Sequence, residues 1–186
     1  MPTLNVRTGP RVLVRLPTRA DAPAFLRAMR ASRSLHANWV KGPSTRTQFD
    51  NYLERFSGRL PTHAGMLVVR RSDGALAGVI NISEIVRGAF QSAYIGYYAF
   101  AGLAGEGYMR EGMGLALDAV FRDLKLHRVE VNVQPTNERS IALVEKLRFA
   151  REGYSRRYVK IGGRWRDHIR FALLAEDWRT RRGRTP

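Results

Sequence analysis

Between residues 93 and 124 the hydrophobic pattern changes its period, and that change limits what the chain can build. Ala93–Phe100 has the composition of a half-buried strand. Further on, Met109, Met113, Ala116, Leu117, Val120, Phe121 and Leu124 recur at steps of three and four, with Arg110, Glu111, Asp118 and Arg122 between them. That spacing predicts an amphipathic helix of roughly sixteen to twenty residues. The junction reads Ala101-Gly102-Leu103-Ala104-Gly105-Glu106-Gly107-Tyr108. A strand running through three glycines into a helix start gathers backbone N–H groups and the positive end of the helix dipole at one spot, which suits a pyrophosphate. The same glycines also suit close packing of helix on strand, and spacing alone leaves both readings open. A P-loop is excluded because no Lys-Ser/Thr follows Gly107. The third glycine is misplaced for a dinucleotide fingerprint, and hairpins precede the loop where βαβ units are needed.

The flanking segments complete an order of elements. Arg11–Pro17 alternates Val12, Val14 and Leu16 as a strand. Helices follow over Ala22–Met29, behind the capping oxygens of Thr18 and Asp21, and over Thr47–Phe56, with Ser34–Arg46 between them as a loop. Met66–Arg70, Ala75–Ile85 and Ala93–Phe100 form a meander of strands. After the long helix, Val129, Val131 and Val133 alternate up to Pro135, and Asn137 is placed to cap a short helix through Leu147. Tyr154–Ile161 and Trp165–Leu174 flank Gly162-Gly163 as a hairpin. The expected class is α+β: one domain over residues 1–178, its mixed, mostly antiparallel sheet of about seven strands flanked by about four helices. Residues 179–186, with four Arg and no acid, are expected to form a basic disordered tail.

Charge and cysteine content narrow the function classes. The chain holds 32 Lys+Arg against 16 Asp+Glu, a formal charge of +16. Residues 1–60 and 127–186 carry +8 each, around a neutral centre. A polyanionic partner and a merely compositional Arg bias account for this equally well. Zero Cys excludes a disulfide framework, a thiolate metal site and a cysteine nucleophile. His127 and His168 match no metal spacing, so no metal is expected. With no membrane-length apolar run and no signal-like N-terminus, a soluble cytoplasmic protein without a membrane partner is expected.

Eight short stretches, in order, then resemble one family. They include Val86-Arg87-Gly88-Ala89-Phe90, Ile95-Gly96-Tyr97, the loop Gly102 to Gly107 with Tyr108-Met109-Arg110-Glu111, and Leu126-His127-Arg128. Asn137-Glu138-Arg139-Ser140, Glu145-Lys146-Leu147, Glu152-Gly153-Tyr154 and Trp165-Arg166-Asp167-His168 continue the series. The chain resembles the GCN5-related N-acetyltransferases (GNAT), and within them the ribosomal-protein-alanine (Rim-type) branch. Three positions depart from that pattern: Gly102 stands where Gln or Arg is usual, Glu106 where Lys, Arg or Gln is common, and Arg148 where Gly is usual.

The resemblance implies a GNAT fold and direct transfer of acetyl from acetyl-CoA, a cosubstrate, to an amine. It implies coenzyme contacts at Tyr98, Ala99, Phe100, Gly105, Glu106, Gly107, Tyr108, Met109, Asn137 and Ser140, with an oxyanion met by backbone N–H around Tyr98 to Phe100. Protonation of the leaving thiolate falls to Ser140, with Tyr154 second. Glu152 is the favoured base, with Glu84 a lesser candidate. An α-amine, with a pKa of about 7.7–8, asks less of a base than Lys at about 10.4. The implied acceptor is a protein N-terminus, a ribosomal-protein alanine foremost, and the basic flanks offer contact to ribosomal RNA. The alternatives are a small amine (polyamine or aminoglycoside), or a non-catalytic ribosome- or RNA-binding protein on the same scaffold.

Overall fold

In the computed structural model, residues 4–37, 39–57 and 61–182 are described, the side chains of 181 and 182 excepted. The strands are β1 (Arg7–Thr8), β2 (Val12–Arg15), β3 (Ala64–Arg70), β4 (Leu76–Val86), β5 (Ser92–Ala99), β6 (Arg128–Val133), β7 (Ala150–Ile161) and β8 (Arg164–Leu174). The helices are α1 (Ala22–Ala31), α2 (Arg33–His36), α3 (Arg46–Glu54), α4 (Tyr108–Arg122), α5 (Glu138–Lys146) and α6 (Ala175–Arg182). One sheet takes all eight strands in the order β1-β2-β3-β4-β5-β6-β8-β7.

The α+β expectation holds, with eight strands and six helices among the described residues where about seven and four were expected. The additions have physical reasons. β1 is two residues long, too short to show alternation. α2 is a single turn inside the expected loop. α6 overrides the expected disorder of the tail as far as Arg182, while 183–186 lie outside the described residues. Its anchor is Trp178, whose ring nitrogen donates to Asp118 on α4 at 2.8 Å. Glu176 and Asp177 in its first turn suit the helix dipole.

Alternation along the strands sorts the core into two layers. Val12, Val14, Met66, Val68 and Ile80 face α4, which answers with Met113, Ala116, Leu117 and Val120. Gly112 brings that helix onto β3, since a β-carbon there would lie 2.7 Å from both Val68 methyl groups. On the opposite face Leu67, Val69, Val79, Tyr98 and Phe100 pack with Phe25 of α1 and Phe49 and Tyr52 of α3. Glu111 fastens α4 laterally to β2: its Oε1 accepts the N–H groups of Arg11 at 2.8 Å and Val12 at 3.0 Å.

The sheet is antiparallel except between β5 and β6, which run parallel. Only Ser92↔Arg128, Ala93↔Val129 and Tyr94↔Glu130 pair there. Beyond Tyr94 the two strands part, and β5 continues to Ala99 paired, among the described residues, with β4 alone. The sheet therefore opens in a wedge at its middle.

Candidate active site

The wedge is lined by backbone that the fold leaves unpaired. Phe100 donates its N–H to Ala77 on β4 at 2.9 Å. Successive residues of a strand turn their N–H and C=O groups to alternate edges. Gly96, Tyr98 and Phe100 are thus tied to β4, and Tyr97 and Ala99 face the wedge. The end of β5 is fixed from α1 and α2: Ser32 Oγ accepts the Ala101 N–H at 2.9 Å, and His36 Nε2 donates to the Ala99 carbonyl at 2.7 Å. A carbonyl only accepts, so Nε2 carries the ring proton. The Ala99 N–H is left as the donor at the strand's end.

This geometry divides the three residues expected to meet the coenzyme there. Ala99 presents its N–H toward the wedge, its carbonyl being taken by His36. Tyr98 and Phe100 do not, because their backbone belongs to the β4 ladder and their side chains are buried against α1 and α3.

The glycine loop follows. Gly105 (φ +91°) and Gly107 (φ +84°) both occupy the left-handed region that favours glycine. Gly107 is the N-cap of α4, and its carbonyl takes the N–H groups of Arg110 at 3.1 Å and Glu111 at 3.2 Å. The N–H groups of Tyr108 and Met109 are those the helix cannot satisfy itself. A β-carbon on Gly105 would meet nothing within 4 Å, so its backbone is open to approach. Glu106 is exposed, and its carbonyl is held by Arg11 Nη1 at 3.1 Å. The side chains of Tyr108 and Met109 are engaged by neighbours: Arg11, which also holds the Glu106 carbonyl, lies 4.7 Å from the Tyr108 ring centre, and Met109 packs toward Gly78.

Across the wedge, α5 brings in Ser140. Asn137 caps the helix by accepting the Ser140 N–H at 3.2 Å on its amide oxygen. Ser140 Oγ lies 2.6 Å from the Tyr97 hydroxyl, which is also 3.1 Å from the Ser140 carbonyl. Burial pushes the Tyr97 phenol up to about 12, with the Ser140 contact pulling the other way. Tyr97 therefore stays a neutral phenol behind Ser140 throughout the neutral range, its one proton directed at the Ser140 carbonyl. Tyr97 falls in the family-like stretch Ile95-Gly96-Tyr97, for which the resemblance implies no role. Alternation along β5 could have found it, since it places Tyr97 on the opposite edge and face from Tyr98.

The remaining candidates are engaged elsewhere. Glu152 receives both terminal nitrogens of Arg128, and those hydrogen bonds hold its carboxyl below the usual range. A carboxylate so stabilised is a weaker base, which counts against its expected role. Tyr154 is half exposed and donates to Asp167 Oδ2 at 2.6 Å, a bond that raises its pKa. It pairs with Ile169 in register and shares that residue's face of the sheet. Glu84 is exposed with φ +49° and lies 3.7 Å from His63. His168 is buried, its pKa lowered chiefly by that burial, with Nδ1 3.0 Å from the Arg166 carbonyl. Among the described residues no group of three His, Asp or Glu could hold a metal, and no helix is long and apolar enough to cross a membrane.

Comparison with known proteins agrees with this architecture. The sequence pattern described as "Acetyltransferase (GNAT) domain" matches residues 11–150. "Probable N-acetyltransferase YjcK" of Bacillus subtilis is 39% identical over 132 residues, 71% of this chain and 72% of that protein. "[Ribosomal protein uS5]-alanine N-acetyltransferase" of Escherichia coli is 40% identical over 103 residues, 55% of this chain and 53% of the enzyme, so that match spans about half the enzyme's length. The spermidine N(1)-acetyltransferase of Vibrio cholerae is 25% identical over 84% of this chain and 90% of its own. Among solved structures, Mycobacterium smegmatis RimJ in complex with CoA-disulfide superposes with a TM-score of 0.80 at 26% identity, covering 93% of this chain and 90% of that one. With the pattern running from β2 into β7, and relatives that share N-acetyl transfer, the assignment follows: the chain belongs to the GNAT family and is an N-acetyltransferase.

Proposed function

We propose that the protein transfers acetyl from acetyl-CoA to the N-terminal α-amine of a protein, a ribosomal-protein alanine foremost, by direct attack with both substrates bound. The observation that carries the acceptor is the 40% identity to the uS5-alanine enzyme. The residues present fit the coenzyme: the open backbone at Gly105, the unsatisfied N–H groups at the start of α4 and the edge of β5 that β6 leaves unpaired follow one another along residues 97–109. When bound, acetyl-CoA supplies an acetyl group already activated as a thioester. The start of α4 holds phosphate charge. The Ala99 N–H is the donor offered to a carbonyl oxygen that gains charge in the reaction. Ser140 gives a proton to the departing thiolate and is itself supported by Tyr97. A peptide α-amine is partly neutral near pH 7. Solvent therefore suffices as base, and Glu152 keeps its bond to Arg128.

A second reading, a polyamine acceptor, is favoured by the spermidine N(1)-acetyltransferase match. An acceptor panel of alanine-start peptides, spermidine and an aminoglycoside separates the two, read as kcat/KM. The peptides should lead, and spermidine outpacing every peptide would overturn the α-amine reading. Contact with ribosomal RNA through the basic flanks belongs to the same proposal. It requires acetylation on ribosomal particles to weaken steeply with salt while free-peptide acetylation does not.

A further inference from the structure

Beside the end of β5, between α1 and α3, lies an open recess of about 380 Å³. Its floor includes Met29, His36 and Gly42, and its rim carries Arg30, Arg33 and Lys41. Two observations mark it as a binding surface. The first is a buried polar atom without a partner. His36 is only 5% exposed, its Nε2 is committed to the Ala99 carbonyl, and its Nδ1 has no hydrogen-bond partner among the described residues. Because Nε2 holds the proton, a neutral ring presents Nδ1 as an acceptor, and a buried acceptor left empty is costly. The Tyr98 hydroxyl, buried and equally unpartnered, lies behind Gly42, where a β-carbon would come within 3.1 Å of it. The second observation is charge. Arg30, Arg33 and Lys41 are all exposed, and among the described residues none of them forms an ion pair.

The position matters as much as the chemistry. His36 bonds the carbonyl of Ala99, whose N–H faces the wedge, so the recess borders the point where an amine would meet the acetyl group. Three uncompensated cations around a concave site raise the local concentration of anions and repel cations. His36 Nδ1 is covered by the fold, and a donor such as a peptide N–H that reached it would satisfy it. Building on the α-amine reading above, we infer that this recess takes the leading residues of the acceptor and selects N-termini followed by Asp or Glu, with Arg33 and Lys41 as specificity determinants. A polyamine matches neither the rim nor the floor.

The test compares three peptides of equal length that begin with Ala and continue with acidic, neutral or basic residues at positions two to four. The full chain is used at low ionic strength. The acidic peptide should exceed the basic one by at least about tenfold in kcat/KM, the ratio that about 1.4 kcal/mol produces. The double reversal Arg33→Glu with Lys41→Glu should invert the order while leaving the KM for acetyl-CoA unchanged. A melting curve confirms that the variant is folded, and Arg33→Gln with Lys41→Gln, which should abolish the preference, serves if it is not. Equal kcat/KM for the three peptides, or an acidic preference that survives charge reversal, overturns the inference and leaves the α-amine reading standing. Rejection of all three peptides with turnover of spermidine overturns that reading and the inference together.

Discussion

Arg148 shows how a single residue can keep a turn that its side chain does not favour. α5 ends with the Phe149 N–H on the Val144 carbonyl at 3.0 Å and the Arg148 N–H on that of Glu145 at 2.8 Å, the paired bonds of a Schellman cap. Val144 and Phe149 meet in the core beneath it. The cap requires a left-handed residue, and Arg148 supplies it at φ +62°. The family resemblance leads one to expect Gly here, and the turn is nonetheless built the ordinary way, at the cost of strain. Arg148→Gly should raise unfolding stability by about 1 kcal/mol, read from a urea midpoint; a loss would mean that the arginine makes a compensating contact. At the other end of α5, Ser140→Ala should cut kcat at least tenfold with little change in acetyl-CoA affinity, the pattern of a contact made mainly in the transition state. Tyr97→Phe should follow in the same direction but less far, because it acts only through Ser140. If acetyl-CoA affinity falls and kcat holds, Ser140 is a binding and capping residue. Ser140 and Asn137 were legible as a local motif. The partner Tyr97 was not, because that contact spans 43 positions. Glu152 was legible as a carboxylate, but sequence carries no sign that Arg128 would occupy it.

Among the elements, α4 positions most of the site. Its amphipathic period was visible in sequence, and its start was signalled by glycines. Its lateral anchors were not visible: Glu111 reaches Val12 of β2 across 99 positions, and Arg11 reaches back to stack on Tyr108 and hold the Glu106 carbonyl. Gly107→Val should damage this junction twice over. A β-branched residue at φ +84° is strained, and its β-carbon would lie 3.2 Å from the Arg11 guanidinium. We expect about 1–2 kcal/mol of lost stability. Acetyl-CoA affinity in calorimetry should also fall at least tenfold; unchanged affinity would move the coenzyme away from this loop. β1, α2 and α6 were illegible for another reason. They are short, and their stability comes from a few distant contacts, such as Trp178 on Asp118, with little from a periodic apolar face.

On the scale of the whole molecule, acidic anchors hold a strongly basic chain together. Asp21 is partly buried, which raises its pKa, but Arg15 and the Thr18 backbone and hydroxyl groups outweigh that and leave it lowered. Glu111 follows the same logic, with burial opposed by the Arg11 and Val12 N–H groups and the Arg11 side chain. A lowered folded pKa gives stability that is fully present above the unfolded value and lost as pH falls through the folded one. The loss should therefore begin below about pH 4.5, near the unfolded carboxyl values. Glu111→Gln should flatten that acid limb of the melting profile; an unchanged limb would assign the acid loss to other carboxylates. The charge sum itself was plain in the sequence, whereas which carboxylates serve as anchors depended on strands and helices far apart in the chain. The opening between β5 and β6 carries one more consequence, for amide exchange with solvent. Along the last residues of β5, protection should alternate, with the Tyr98 and Phe100 amides slow and those of Tyr97 and Ala99 fast. Coenzyme binding should then slow only the fast pair, so that deuterium uptake at two alternate amides reports occupancy of the wedge without any turnover.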